Sequence, residues 1–178
     1  MKKSVVLFLV LILLASTCLA EDEVVIFSYS YSVMFSPTPY SFSIILYKDG
    51  HIEKEIQTLD IKTSVRDIKK EEYKIDPEYV NDILQIIKEA NINDIPHYLP
   101  HYVEDMPGSR FNFNGKEIYG EGVSYMNPFE MFIQTGNITW LKAATYYNRV
   151  LDLNNNIKKV FESAGYNFER YDFTPLED

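Results

Sequence analysis

Residues 40–59 read YSFSIILYKDGHIEKEIQTL and contain the strongest fold signal in the chain, an Asp-Gly pair between two strand-forming segments. A two-residue type I′ turn needs a positive φ at both positions, and Asp49 and Gly50 adopt such a φ at low cost. We therefore predict a strand over residues 40–48 that turns at Asp49-Gly50 and pairs antiparallel with residues 51–59. In this second strand the charged residues are predicted to face solvent: Glu53, Lys54 and Glu55.

The segment before this hairpin has the period-two pattern of a strand. Over residues 24–33 one side is apolar or aromatic and the other mostly serine, as in a sheet with one buried face. Asn114-Gly115 predicts a second hairpin. A last strand is predicted over residues 166–173. Residues 63–74 are rich in charge and poor in apolar side chains, so they are predicted to be a connection.

The helical signals lie mostly in the second half of the chain. Asp76 is predicted to cap a helix whose first position is Pro77. A short helix is predicted up to residue 134, and residues 139–164 keep helical spacing, either as one long helix or as two shorter ones. Strands before helices favour the α+β class. We expect an antiparallel sheet of about five to six strands packed by two or three helices.

The first twenty residues resemble an export signal. Lys2 and Lys3 precede an uncharged apolar run, and Ala20 is a small residue suited to cleavage. The apolar core is shorter than the ~20 residues that a membrane-spanning helix requires. We expect residues 1–20 to be a signal peptide and residues 21–178 to be a single α+β domain, periplasmic or extracellular, with no transmembrane helix.

The only cysteine, Cys18, falls within this leader. Cleavage after Ala20 removes it and leaves no disulfide. In the alternative interpretation, Cys18 is the lipid-modified first residue of a membrane-anchored lipoprotein. The residues before Cys18 lack the usual lipoprotein pattern, so ordinary cleavage is the preferred prediction.

The charge of the chain argues against nucleic acid as a partner. The formal net charge is −9, with 26 acidic and 17 basic residues. Polyanions such as nucleic acids and anionic lipid surfaces are repelled by such a protein. The expected partner is a protein or another component of the cell envelope.

The nearest approach to a metal site lies in a proline-rich loop between residues 92 and 108. Two imidazoles and two carboxylates would suit zinc. The candidate ligands are His97, His101, Glu104 and Asp105. Pro100 between the histidines argues against a continuous helix, and the alternative is that these are ordinary exposed loop residues.

Tyrosine is the one compositional excess, with 14 residues in the chain. Its apolar ring and polar tip suit surfaces that contact sugars or proteins. The candidate binding surface is Tyr29, Tyr31, Tyr40 and Tyr47. The alternative is that these rings line the core, as aromatic residues in strands usually do.

No catalytic motif or cofactor-binding loop is found. There is no Gly-x-Ser-x-Gly element, and Gly120-Glu121-Gly122 lacks the further residues of a phosphate-binding loop. We expect no cofactor. Asn137-Ile138-Thr139 matches the N-glycosylation pattern, although a capping role for Asn137 is the simpler interpretation.

Two segments resemble a group of uncharacterised bacterial exported domains. Residues 39–44, closed by Asp49-Gly50, match its proline, tyrosine and hairpin order, and Asp105-Met106-Pro107 before residues 111–116 is similar to its later segment. Those domains often have a cysteine pair where this chain has Phe35-Ser36-Pro37-Thr38. The resemblance implies an exported α+β domain and assigns no activity to any residue.

Together these observations predict a noncatalytic binding module of the envelope or of the secreted fraction. The alternatives are an extracytoplasmic metal-assisted hydrolase and a carbohydrate-binding module.

Overall fold

A computed structural model of the chain describes residues 24–33, 39–100, 107–121, 128–169 and 172–175. The predicted leader and Cys18 lie outside these residues. The strands are β1 Val25–Val33, β2 Tyr40–Tyr47, β3 His51–Asp60, β4 Val65–Lys74, β5 Gly108–Phe113, β6 Lys116–Glu121, β7 Tyr166–Glu169 and β8 Asp172–Pro175. The α-helices are α1 Pro77–Glu89, α2 Pro128–Thr135 and α3 Thr139–Ser163, and Ile92–Asp94 forms a 3₁₀ turn.

Six strands form one antiparallel sheet in the order β4-β3-β2-β1-β5-β6. Three α-helices accompany it in the part of the chain that the structure describes, so the predicted α+β class is confirmed. No helix in the described ranges has both the length and the hydropathy for a membrane span.

One face of the sheet forms the core, and strand β1 lies at its centre. Phe27 is opposite Leu46 of β2 and Phe113 of β5, and Tyr29 is opposite Ile44 and Phe111 in the same way. These side chains share one face because residues directly opposite each other in neighbouring strands point to the same side of the sheet. Phe161 of α3 packs on this row, with its ring centre 6.0 Å from that of Phe27. The helices therefore cover the aromatic face.

The two predicted hairpin turns differ in the structure. Asn114 and Gly115 both have positive φ, as a type I′ turn requires, so that prediction is confirmed. At the other turn only Gly50 has a positive φ, and three residues separate β2 from β3. The predicted two-residue turn at Asp49-Gly50 is therefore wrong. Three-residue hairpins typically place a glycine in this left-handed position at the last residue of the loop.

Ile75, the residue after β4, is hydrogen-bonded to the turn at Gly50. The N–H of Ile75 donates to the carbonyl of Gly50 at 3.0 Å, and the N–H of Gly50 donates to the carbonyl of Tyr47 at 3.0 Å. The first of these hydrogen bonds joins the turn to Ile75, shortly before α1 begins at Pro77. A Cβ at Gly50 would lie 2.3 Å from the carbonyl oxygen of Ile75.

Strand β4 corrects the prediction of a connection over residues 63–74. It pairs with β3 along its whole length, from Val65 opposite Asp60 to Lys74 opposite His51. It forms the outer edge of the sheet, and residues 65–70 are exposed. Edge strands often carry charges, which oppose pairing with other molecules. A strand with exposed faces lacks the apolar alternation by which strands are recognised in a sequence.

Lys54 corrects a second prediction, because it is buried rather than solvated. It lies on the core face, opposite Ile44, and only 4% of it is exposed. Its Nζ atom lies 2.8 Å from a carboxylate oxygen of Glu71 on β4. Lys69 also contacts this carboxylate, and the Tyr73 hydroxyl donates to it at 2.7 Å. The hydrogen bond from Lys54, followed by those from Lys69 and Tyr73, lowers the pKa of Glu71 to about 2.

The structure also tests the predictions made for helices α1 and α3. Asp76 occupies the N-cap position of α1 as predicted, but its side chain makes no capping hydrogen bond, and its backbone carbonyl accepts the N–H of Tyr79 at 3.1 Å. Pro77 occupies the first turn as predicted. Helix α3 runs without interruption for 25 residues, which decides between the one-helix and two-helix alternatives.

The carboxyl-terminal segment forms two short strands rather than the one predicted strand. β7 and β8 pair antiparallel in a sheet of their own, from Tyr166 opposite Pro175 to Glu169 opposite Asp172. The ring of Tyr166 lies edge-on to that of Tyr73, with 5.5 Å between their centres. The chain reverses direction between β7 and β8. The alternation over residues 166–173 predicted a single strand because it contains no signal for this reversal.

We predict that Gly50→Ala destabilises the protein more than Gly115→Ala. Both substitutions place a Cβ at positive φ, which costs roughly 1 kcal/mol. Only the Cβ at position 50 meets a backbone atom, since nothing lies within 4 Å of a Cβ at Gly115. The overlap adds at least about 1 kcal/mol. Urea unfolding measures both, and equal losses would contradict the close contact.

We also predict that Glu71→Gln lowers the free energy of unfolding by about 2 kcal/mol at neutral pH, because it removes the carboxylate that lies 2.8 Å from the buried ammonium of Lys54. Adding Lys54→Met should recover most of this loss. The exposed neighbour Glu72 supplies the control, and Glu72→Gln should change stability little.

The contribution of the Lys54–Glu71 pair to the free energy of unfolding should decrease as the pH falls. Folding lowers the pKa of Glu71 from 4.5 to about 2. The stabilisation is therefore complete above pH 4.5 and is lost as the pH falls toward 2. The difference between the wild type and Glu71→Gln should shrink over this range, and a difference that does not depend on pH would contradict the assignment.

Candidate binding surface

Part of the proline-rich segment lies along the free edge of β6. The N–H of Leu99 donates to the carbonyl of Tyr119 at 2.7 Å, and the N–H of Tyr119 donates to the carbonyl of His97 at 2.7 Å. Tyr98 and Tyr119 thereby form a parallel bridge. Ile95 and Leu99 are each 1% exposed, and their side chains attach the segment to the hydrophobic core. Residues 95–99 therefore cover this edge of the sheet.

Tyr98 projects from the covered edge into solvent. It is 65% exposed, whereas its neighbours Ile95 and Leu99 are buried. Its ring lies edge-on to the imidazole of His97, with centres 4.6 Å apart, and edge-on to the ring of Tyr119 at 5.9 Å. The Nδ1 atom of His97 lies 2.9 Å from the carbonyl oxygen of Glu117. The exposed ring is thus held by contacts on two sides.

Arg110 lies beside these rings on the outer face of the sheet. It is directly opposite Tyr119 in the β5–β6 pairing and is exposed. Within the described part of the chain, no side-chain hydrogen bond or ion pair engages its guanidinium. An arginine offers five N–H donors in a planar arrangement that suits carboxylates. This cation is therefore available to a partner.

Tyr119 connects the ring cluster to β5. Its hydroxyl lies 3.0 Å from the position that a Cβ would occupy at Gly108, so the glycine leaves room for the ring. The hydroxyl donates to Glu121 at 3.3 Å. Burial, together with the charge of Glu121, raises the pKa of Tyr119. The phenol is therefore protonated at neutral pH and remains a hydrogen-bond donor.

We call these four residues the Tyr98 patch: His97, Tyr98, Arg110 and Tyr119. It combines aromatic rings in contact with one another, a phenolic donor and a cation that has no ion-pair partner among the described residues. Tyrosine and arginine are enriched among the residues that contribute most to protein interfaces. The arrangement can bind a surface that offers apolar area and a carboxylate.

The predicted metal ligands are represented only by His97, because His101, Glu104 and Asp105 lie outside the described residues. Among the described residues, no group of three or more histidine, cysteine, aspartate or glutamate side chains is arranged to hold a metal ion. The four-residue metal site stays a prediction.

The four predicted tyrosines do not share an exposed surface. Tyr29 and Tyr31 are 4% and 1% exposed and belong to the core. Tyr40 is half-buried and packs against the same core. Tyr47 is half-buried on the opposite face, where its ring stacks on His51 with centres 5.6 Å apart. The alternative interpretation, that strand tyrosines line the core, describes Tyr29 and Tyr31.

Sequence reasoning missed Tyr98, Arg110 and Tyr119 as a group. They come from a loop and two strands: the β5–β6 pairing places Arg110 opposite Tyr119, and the bridge between Tyr98 and Tyr119 adds the loop. The available signal was an aromatic residue beside His97, in the loop singled out for its prolines. Nothing in the local pattern links that residue to Arg110.

The groove between α1 and α3 is a weaker candidate. Its lining includes Tyr79, Ile86, Arg149 and Asn156. The guanidinium of Arg149 already makes two hydrogen bonds to the carboxylate of Asp94, each 2.8 Å long. The principal cation at this groove is therefore engaged within the fold.

Comparison of the chain with protein-family models found no matching family, and a search of curated proteins found no match.

We predict slow amide hydrogen exchange at Leu99 and Tyr119, whose N–H groups bond across the covered edge. The amide of Tyr98 has no backbone acceptor in the described ranges and should exchange faster. Leu99→Ala removes a buried side chain, costs about 2–4 kcal/mol and should accelerate exchange at Tyr119. Fast exchange at Leu99 in the wild type would show that the segment does not stay on β6.

Proposed function

We propose that this protein is exported and acts as a noncatalytic binding module that contacts a protein partner through the Tyr98 patch. The leader over residues 1–20 supports export, with a basic start, a short apolar core and a small residue at its end. The binding role is supported by one observation above all. The ring of Tyr98 is exposed to 65% and yet is held in place on both sides.

The energetic argument concerns the cost of ordering a side chain at an interface. Immobilising a flexible side chain on binding costs about 0.5–1.5 kcal/mol. The contacts of Tyr98 with His97 and Tyr119 order its side chain when the protein folds, so less of this cost remains when a partner binds. An aromatic side chain that is fixed before binding is therefore an efficient anchor in an interface.

The charges favour a partner that presents a carboxylate beside apolar area. Arg110 is an exposed cation with no ion pair to any residue that the structure describes, on a chain whose net charge is −9. Bidentate pairing of a guanidinium with a carboxylate gives both affinity and orientation. A protein surface supplies both features, which supports a protein rather than a nucleic acid as the partner.

Site-specific photo-crosslinking in the native host tests this proposal. A photoreactive residue replaces Tyr98 in one variant and Ile61 in the control. Ile61 is 55% exposed at the turn between β3 and β4, away from the patch. We expect one protein to crosslink from position 98 and not from position 61. Purified wild-type protein should compete for this crosslink, and Arg110→Glu should not.

With the partner identified, Tyr98→Ala should weaken binding by at least about tenfold, which corresponds to about 1.4 kcal/mol. The stability of this variant should change by less than about 0.5 kcal/mol, because most of the ring is outside the core. Equal crosslinking from both positions would contradict the proposal. Polysaccharide recovered at the patch in place of protein would favour a carbohydrate-binding module instead.

A further inference from the structure

The segment between α2 and α3 presents an asparagine in an unusual environment. Gly136 ends α2 with a φ of +66°, and Asn137 follows it as an exposed residue before α3 begins at Thr139. The backbone of Asn137 is anchored on both sides. Its N–H donates to the Thr135 hydroxyl at 3.3 Å, and its carbonyl accepts the N–H of Trp140 at 3.0 Å.

The two ends of the Asn137 carboxamide have different surroundings. The Oδ1 atom accepts the backbone N–H of Thr139 at 3.0 Å and the Thr139 hydroxyl at 2.7 Å. In the described part of the chain the Nδ2 atom has no hydrogen-bond partner. The helix begins after Ile138 with no side-chain cap, so the oxygen of Asn137 closes an Asx turn rather than the predicted helix cap.

We propose that Asn137 is an acceptor for an N-linked glycan. Asn137-Ile138-Thr139 is the one Asn-x-Ser/Thr triplet in the sequence. The Asx turn needs only the bond from the backbone N–H of Thr139, so the turn does not explain the additional hydroxyl contact. Two donors on the oxygen stabilise the negative charge that develops there as the amide loses a proton.

The glycosyl donor for this reaction is a lipid-linked oligosaccharide diphosphate. The Nδ2 atom forms a bond to the anomeric carbon, and the bond between that carbon and the diphosphate oxygen breaks. The lipid diphosphate leaves with the electron pair, and one amide proton passes to a base. This chemistry takes place outside the cytosol, so the inference rests on the export part of the proposed function.

The position also tolerates a large substituent. Asn137 and Ile138 are both exposed, and Ile138 is 67% exposed, so a sugar attached here displaces no core residue. The Tyr98 patch draws its residues from other segments, at residues 97–98, 110 and 119. A glycan at Asn137 is therefore not attached to any segment that contributes a residue to the patch.

Mass spectrometry of protein purified from the native host tests the acceptor. We expect the peptide containing Asn137 to carry hexose or N-acetylhexosamine units, and enzymatic deglycosylation in heavy-oxygen water to convert Asn137 to labelled aspartate. Asn137→Gln should abolish the modification. Thr139→Ser keeps the hydroxyl and should retain partial occupancy, whereas Thr139→Val keeps the shape without the hydroxyl and should lose the glycan.

The same spectra separate this inference from the proposed function. An unmodified Asn137 in protein that lacks the leader and still crosslinks from position 98 would overturn the acceptor proposal alone. Protein that retains Met1 and lacks a glycan would overturn export and the acceptor proposal together. Circular dichroism of Thr139→Val should match the wild type, which shows that loss of the glycan does not reflect loss of the fold.

Discussion

The register of strand β1 is the constraint on which the rest of the structure depends. β1 pairs with β2 on one side and β5 on the other, and both pairings place the core residues of β1 directly opposite core residues of the neighbouring strand. The aromatic residues of three strands therefore meet on one face, where Phe161 of α3 packs against them. A shift of one residue would turn Phe27, Tyr29 and Tyr31 to the opposite face and remove the surface on which the helices pack.

The two edges of the sheet are stabilised in different ways. At the β4 edge, the buried pair of Lys54 and Glu71 joins an otherwise exposed strand to the core. At the β6 edge, backbone hydrogen bonds to His97 and Leu99 cover the strand. Covering an edge removes its free backbone groups. In this molecule it also places the ring of Tyr98 on the surface, so the candidate binding surface is a consequence of edge protection.

The two sites for which we propose a function both contain a side chain that neighbouring groups hold in place. The Tyr98 ring is held between His97 and Tyr119, and the Asn137 carboxamide is held by Thr139. In each case neighbouring groups position one end of a side chain and leave the other end exposed. Ordering of this kind lowers the entropic cost of engaging a second molecule. A binding role does not require the residues to lie in a deep pocket.

Local patterns in the sequence determined the α+β class, the type I′ turn at Asn114-Gly115 and the start of α1 at Pro77, because these features depend on neighbouring residues. The tertiary structure decided the features that depend on distant residues. Lys54 is buried because its register places it beside Ile44 and Glu71, and the turn at Gly50 follows from its contact with Ile75. The Tyr98 patch arose in the same way, since pairing across the sheet edge joins a loop to β6. Sequence periodicity reports which face a residue occupies, but it contains no information about which segment lies next to that face.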